Sequence, residues 1–327
     1  MVQLAPAADT PQQSKTSVAV KTFISGGIAG CCAKTAVAPL DRVKILLQVH
    51  NEHYKHLGVF STVKHVIKKE GVLGLYQGNG VQMMRIFPYA AIQFLSYEHL
   101  KQAAKNVPFL HHSPHLTKLI CGSLAGLTAV IITYPLDIIR ARLAFQVKGE
   151  AIYSGVMHTV KSIRHLEGGT RGLYQGIVPT FLGMAPYAGL SFSSFEMLKN
   201  LALDVFPDLL GKPCPQNTGG LVLILPAKLI CGGLAGAIAQ TISYPLDVVR
   251  RRMQLSGMIS KDQQTYLAYP RSWLEVLREV YRENGIVKGL YRGLSINYIR
   301  IMPTVAISFA AYETAKQTFG LDTGVDR

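Results

Sequence analysis

Residues 36–48 read AVAPLDRVKILLQ, an apolar run with a proline, an aspartate and two basic residues at its centre. The heart of this stretch occurs three times: PLDRVK at 39–44, PLDIIR at 135–140 and PLDVVR at 245–250. Each copy has Pro-Leu-Asp, two further residues and then a base. One such match arises by chance. Three, at intervals of about 100 residues, mark an internal repeat, which decides the fold class. Other features recur in step. SGGIAG (25–30), CGSLAG (121–126) and CGGLAG (231–236) stand upstream, and GLYQG (74–78), GLYQG (172–176) and GLYRG (289–293) stand downstream. Pro88, Pro186 and Pro303 follow, and ten residues beyond each lies a carboxylate in an aromatic-Glu-x-x-Lys set: Glu98 with Lys101, Glu196 with Lys199, and Glu313 with Lys316.

Each repeat holds two apolar segments. Residues 177–195 carry no formal charge and 116–134 only Lys118, while 80–97, 226–244 and 294–312 are nearly as apolar. The segment 21–47 is interrupted by Lys34 and its own PLD motif. About 20 apolar residues cross a bilayer as a helix. The pattern therefore predicts an all-α membrane protein with six transmembrane helices in three pseudo-symmetric two-helix repeats. Amphipathic stretches such as GVFSTVKHVIKKEG (58–71) read as short surface helices between them. The expected boundaries are a flexible polar leader over 1–20, repeats over 21–105, 114–205 and 226–320, and a long loop over 206–225.

Composition narrows the function. Hydrophobic residues make up 49% and charged residues 16%, mean hydropathy is +0.22, and the net charge is +15. A basic, apolar chain points to an anionic partner. The basic residues do not form a patch with interleaved aromatics, so a nucleic-acid-binding protein is only a remote alternative. Five cysteines without ligand spacing suggest neither a disulfide scaffold nor a metal site. His111, His112 and His115 lack HExxH spacing, and no catalytic constellation is visible, so the expectation is a non-enzyme without cofactor. The first twenty residues show no secretory signal and no Arg-rich amphipathic presequence. The pairs Gly26/Gly30, Gly122/Gly126 and Gly232/Gly236 are four apart, as in helices that approach closely in lipid.

Within each PLD motif the acid and the base share a helix face, and so could pair internally. Threefold repetition favours a cyclic arrangement instead, because an ionisable group in a membrane must face a polar interior and find a partner. Asp41 would meet Arg140, Asp137 would meet Arg250, and Asp247 would meet Lys44. The second set allows a ring of Glu98 with Lys199, Glu196 with Lys316, and Glu313 with Lys101; its bland alternative is three exposed pairs. Water-exposed ion pairs contribute about 0–1 kcal/mol each, which suits gates that open thermally in an alternating-access transporter.

The three PLDxx[KR] motifs, the GLY[QR]G signatures and the [FY]ExxK sets resemble the mitochondrial carrier family over residues 21–320. The resemblance implies tilted helices, short matrix helices, and an inner-membrane location with both termini toward the intermembrane space. It places the PLD ring at the matrix side and the other ring at the cytosolic side. It further implies a monomer among inner-membrane lipids such as cardiolipin. Gln48 and Gln254 look like the family's glutamine braces, which Ala144 lacks. Family contact points lie thirteen residues before each ring glutamate, on Arg85, Gly183 and Arg300. Gly183-Met184 resembles the pair of members that handle adenine nucleotides, with Tyr187 one turn on; for Met184 the alternative is plain packing. Lys34, Arg85 and Arg300 would meet phosphates, Ser243 would lie near the adenine, and Asn297 one turn before Arg300. Stretches such as GMAPYAG and GLYRGLSINYIR are similar to the branch of coenzyme A carriers. RRRMQL (250–255) and Ala188 depart from the ADP/ATP carrier pattern. The expected solute is coenzyme A or a close adenine nucleotide, exchanged for an adenine nucleotide; ATP, AMP and adenosine 3′,5′-bisphosphate are alternatives.

Overall fold

The computed structural model describes residues 15–49, 54, 56–105, 114–149, 151–213, 221–258 and 272–320. The first repeat holds α1 (Lys15–Gln48), α2 (Val59–Glu70) and α3 (Asn79–Ala104). The second holds α4 (Pro114–Phe145), α5 (Val156–Leu166) and α6 (Ile177–Val205). After a single turn, α7 (Pro207–Leu210), come strands β1 (Gly211–Pro213) and β2 (Leu221–Leu223). The third repeat holds α8 (Leu225–Leu255), α9 (Trp273–Asn284) and α10 (Leu294–Thr318).

Four stretches, Val20–Gln48, Thr117–Phe145, Pro226–Leu255 and Ile286–Thr318, are long and apolar enough to cross a membrane by length and composition. Helices α3 and α6, of 26 and 29 residues, have the length as well. Their hydropathy is diluted by polar residues such as Gln82, Arg85 and Gln93 on α3 and Ser191, Ser193 and Ser194 on α6. Every long helix contains a proline: Pro39, Pro88, Pro135, Pro186, Pro245 and Pro303. A proline deletes one backbone donor and bends the helix. Bilayer helices tolerate this because neighbours re-satisfy the freed groups.

The helices pack in a cycle. The tightest pairs are α3 with α4, α6 with α8, and α10 with α1, so the last helix of each repeat lies on the first helix of the next. Partners inside a repeat touch far less. The Lys21 ammonium donates to the carbonyl of Phe319 across the α10–α1 seam at 3.2 Å. The three first helices also touch one another. At the PLD end they bury the largest apolar cluster, including Val43, Leu46, Phe145, Leu255 and Ile296. Phe94, Ile132, Phe192, Met302 and Phe309 are exposed, as suits a surface that faces acyl chains.

The GLY[QR]G motif joins the surface helix to the following long helix. Its last glycine adopts a left-handed conformation at φ +82° (Gly78), +80° (Gly176) and +83° (Gly293). A Cβ on Gly78 would lie 2.8 Å from the carbonyl oxygen of Arg140, and one on Gly176 would lie 3.0 Å from that of Arg250. Both the dihedral and the close approach require glycine. The motif tyrosine stacks on the tyrosine that precedes the PLD proline: Tyr174 on Tyr134 at 6.0 Å, and Tyr291 on Tyr244 at 6.2 Å.

Three expectations change. Four of the six paired glycines do not seat a neighbouring helix. A Cβ at Gly26, Gly122, Gly126 or Gly236 meets nothing within 4 Å, and only Gly30 is tight, against Ile86 at 3.3 Å. The seams run on other helix faces: it is Gly27 that lies against Phe87, a residue its Cβ would overlap. Helix α1 begins at Lys15, inside the expected leader, whose residues 1–14 lie outside the described ones, as do His111 and His112. The expected 206–225 loop contains α7 and an antiparallel ribbon pairing Lys212 with Val222; residues 214–220 lie outside the described ones. That ribbon is the one departure from an all-α fold among the described residues.

Candidate functional site

The cyclic arrangement brings the PLD charges together at one end of the cylinder. Arg140 donates to Asp41 at 2.6 Å, Arg250 to Asp137 at 2.5 Å, and Lys44 to Asp247 at 3.2 Å. Each pair joins the first helices of two repeats. The aspartates are unequally held. Asp41 also accepts from Arg300 at 2.7 Å. Asp137 also accepts from Arg85 at 3.0 Å and from the Gln254 amide at 2.8 Å. Among the described residues Asp247 has beside its lysine only Gln240, at 3.4 Å, because Gly183 occupies the place that Arg85 and Arg300 fill in the other repeats. The Asp247 side chain is accordingly 34% exposed, against 3% for Asp137.

Both glutamines contact a tyrosine of the neighbouring repeat. Gln48 donates to the Tyr244 hydroxyl at 3.2 Å, and Gln254 to that of Tyr134 at 3.3 Å. The tyrosines in turn donate to the carbonyls of Arg292 and Gln175 in the GLY[QR]G turns. At the third seam both partners are absent together, since Ala144 replaces the glutamine and Ala38 the tyrosine.

The far end is different. Among the described residues no ion pair joins Glu98 to Lys199, Glu196 to Lys316, or Glu313 to Lys101. Lys101 and Lys316 instead sit over their own helix neighbours Tyr97 and Tyr312, at 6.0 and 5.5 Å. The far set is carried by α3, α6 and α10, the last helices of the repeats, whereas the PLD charges are carried by the first helices α1, α4 and α8.

Between the two levels lies a cavity of about 320 Å³. Its walls carry seven basic side chains against three aspartates, an excess that favours multiply charged anions. Of the expected contact residues, Lys34, Arg85, Gly183, Met184, Tyr187, Ser243 and Arg300 all line it. The room at Gly183 is bounded by Leu246, 3.5 Å from where a Cβ would stand. Met184 also packs against the apolar cluster around Tyr134 and Ile138, so its packing alternative and its place at the cavity hold together. Ser243 is buried, with a hydroxyl oxygen that has no partner. Asn297 is not in the wall: it is 1% exposed, with both amide atoms unpartnered. Its side chain is packed among its neighbours instead of facing the cavity. Its counterpart Gln82 does line the cavity, and sequence reasoning passed over it although it repeats in step with Asn297.

A set of buried arginines was also missed. Arg42 pairs with Glu70 at 2.8 Å and donates to the carbonyls of Gly74, Ala144 and Gln146. Arg142 pairs with Glu167, and donates to the carbonyls of Gln254 and Ser256 and to the Tyr153 hydroxyl. Burial pushes the Tyr153 phenol up, so it remains neutral beside that guanidinium. Arg252 pairs with Glu283 at 2.8 Å. Each arginine ties a long helix to the surface helix of its own repeat. Arg42 and Arg142 also satisfy carbonyls left open at the end of the next repeat's first helix. In repeat one the arginine stands next to Asp41, whereas in the others it stands one turn later, which hides the repetition.

Three successive stretches, residues 15–107, 111–205 and 223–323, match the family described as mitochondrial carrier protein. The chain belongs to the mitochondrial carrier family. Solute carrier family 25 member 16 of Bos taurus is 56% identical over 303 residues, covering 93% of this chain and 90% of the relative. Mitochondrial substrate carrier family protein P of Dictyostelium discoideum is 41% identical over 298 residues, at 91% and 94% coverage. Mitochondrial carrier protein CoAc1 of Arabidopsis thaliana is 42% identical over 315 residues, at 91% and 89%. The stretches quoted for the branch also resemble the Graves disease carrier protein. As a mitochondrial carrier, the chain is a multi-pass transporter of the inner mitochondrial membrane.

Proposed function

We propose that this carrier moves coenzyme A, or a closely related adenine nucleotide, by alternating access and in exchange for an adenine nucleotide. The observation that carries the reading is the double engagement of Arg85 and Arg300. Both line the cavity, and both hold ring aspartates, Asp137 and Asp41. An anionic solute that takes these guanidiniums withdraws them from the ring, so binding itself weakens the closed end. A solute shifts a conformational balance only through such differential contacts. Met184 and Tyr187 offer an adenine a polarisable and an aromatic face, and the CoAc names of the plant relatives support coenzyme A.

On this reading the PLD ring, with Gln48 and Gln254 as braces, is the matrix gate. The set of Glu98, Lys101, Glu196, Lys199, Glu313 and Lys316 is the cytosolic gate, and both termini face the intermembrane space. The gate with paired charges is shut and the other stands apart, as one state of an alternating cycle requires. The test is uptake of labelled coenzyme A into liposomes loaded with one counter-solute at a time: coenzyme A, ATP, AMP or adenosine 3′,5′-bisphosphate. Uptake driven by coenzyme A or an adenine nucleotide is expected; no uptake with any of the four refutes the substrate class.

A further inference from the structure

Five of the seven basic side chains in the cavity wall are paired with a carboxylate: Arg140 and Arg300 share Asp41, Arg85 and Arg250 share Asp137, and Lys44 takes Asp247. Among the described residues, Lys34 and Arg251 have no carboxylate within salt-bridge distance, yet both line the cavity. Arg251 donates one hydrogen bond, from Nη1 to the Gln254 side-chain oxygen at 2.8 Å. A guanidinium has five donors, and the others have no protein acceptor among the described residues. An unpaired cation in such a wall is expensive unless an anion meets it. Two wall residues also carry a buried polar atom without a hydrogen-bond partner, the Ser243 hydroxyl and the Gln82 amide oxygen.

The two free cations are set apart. Lys34 stands seven residues before its ring aspartate on α1, and Arg251 four residues after its own on α8. Their levels differ by about 16 Å of helical rise. A single phosphate is poorly placed to serve both, whereas an adenosine with phosphates at two positions can reach each. We propose that Arg251 is an anion-binding residue that makes the site selective for an adenosine compound bearing phosphate at two separate positions. The inference rests on the nucleotide reading above and deepens it.

Calorimetric titration of the purified full-length chain tests it, with coenzyme A and dephospho-coenzyme A as probes; they differ by one phosphate. Wild type binds coenzyme A about tenfold more tightly, the effect of one charge-assisted contact. In Arg251→Gln the ratio falls to near one. Arg251→Lys keeps the charge without the fork that holds Gln254, so it retains most of the preference. An unchanged ratio in Arg251→Gln overturns the assignment. So does a lysine variant that loses the preference, which would leave Arg251 only a structural partner of Gln254. Should the glutamine variant not fold, the lysine variant decides alone. A wild type that binds both probes equally sinks the selectivity of Arg251 but spares the carrier's substrate class. A wild type that binds neither sinks both.

Discussion

Arg85 and Arg300 have two neighbours to satisfy, the cavity and the ring, and this governs what their removal does. In Arg85→Ala, Asp137 keeps Arg250 and Gln254, so the shut state loses about 1–3 kcal/mol from one charged hydrogen bond, while the proposed phosphate contact disappears. Uptake by proteoliposomes should be abolished in Arg85→Ala and in Arg300→Ala, with a lowered unfolding temperature in each. Normal uptake in either variant would show that the solute binds elsewhere. The same accounting distinguishes the three ring pairs. Reversing Asp137 and Arg250 places a cation against Arg85 and leaves Gln254 without its acceptor. Reversing Lys44 and Asp247 disturbs only Gln240 among the recorded partners of that carboxylate. The swapped pair Lys44→Asp with Asp247→Lys should therefore recover more of the uptake lost in its single variants than the swapped pair at 137 and 250. Equal recovery would mean that the neighbours do not matter. All three ring pairs formed are those expected from the sequence, where threefold repetition leaves two cyclic solutions of opposite hand. The role of Arg251 was not legible there, since its meaning lies in having no carboxylate partner among the described residues, and periodicity says nothing about that.

At the level of elements, the surface helices are locked by one arginine each. Arg142 is fully buried, and its guanidinium serves Glu167, Tyr153 and two carbonyls at the end of α8. Arg142→Ala strands the Glu167 carboxylate, a loss of about 3–5 kcal/mol. Thermal unfolding should reveal a larger drop in unfolding temperature for Arg142→Ala than for Arg85→Ala. A small shift would mean that water reaches Glu167. The long helices were legible because apolar length and repetition survive in composition. Their ends were less so: α1 starts earlier than its polar leader suggested, and the segment after α6 turns back through a short ribbon. The glycine pairs misled for a simple reason. Four-residue spacing tells that two positions share a face, not that the face meets a neighbour. The most closely pressed glycine in α1, Gly27, sits one position away from the pattern.

Across the whole molecule, the ring and the cavity form one device because the cycle of helices is closed. Each repeat contributes an acid to one neighbour and a base to the other, so no repeat can tilt without disturbing both joints. The far set shows what repetition cannot reveal. Its six charges follow the same threefold logic, yet the structure brings none of the expected pairs together. The joint between α10 and α1 is built like the other two. Helix lies on helix, Asp247 reaches Lys44, and Lys21 holds the last turn of α10, although no peptide bond runs between the two helices there. The polypeptide could thus be spliced end to end and reopened between any two thirds, and the rearranged gene would still encode the same wheel of spokes. Order of synthesis and shape of the finished object are, for this architecture, separable properties.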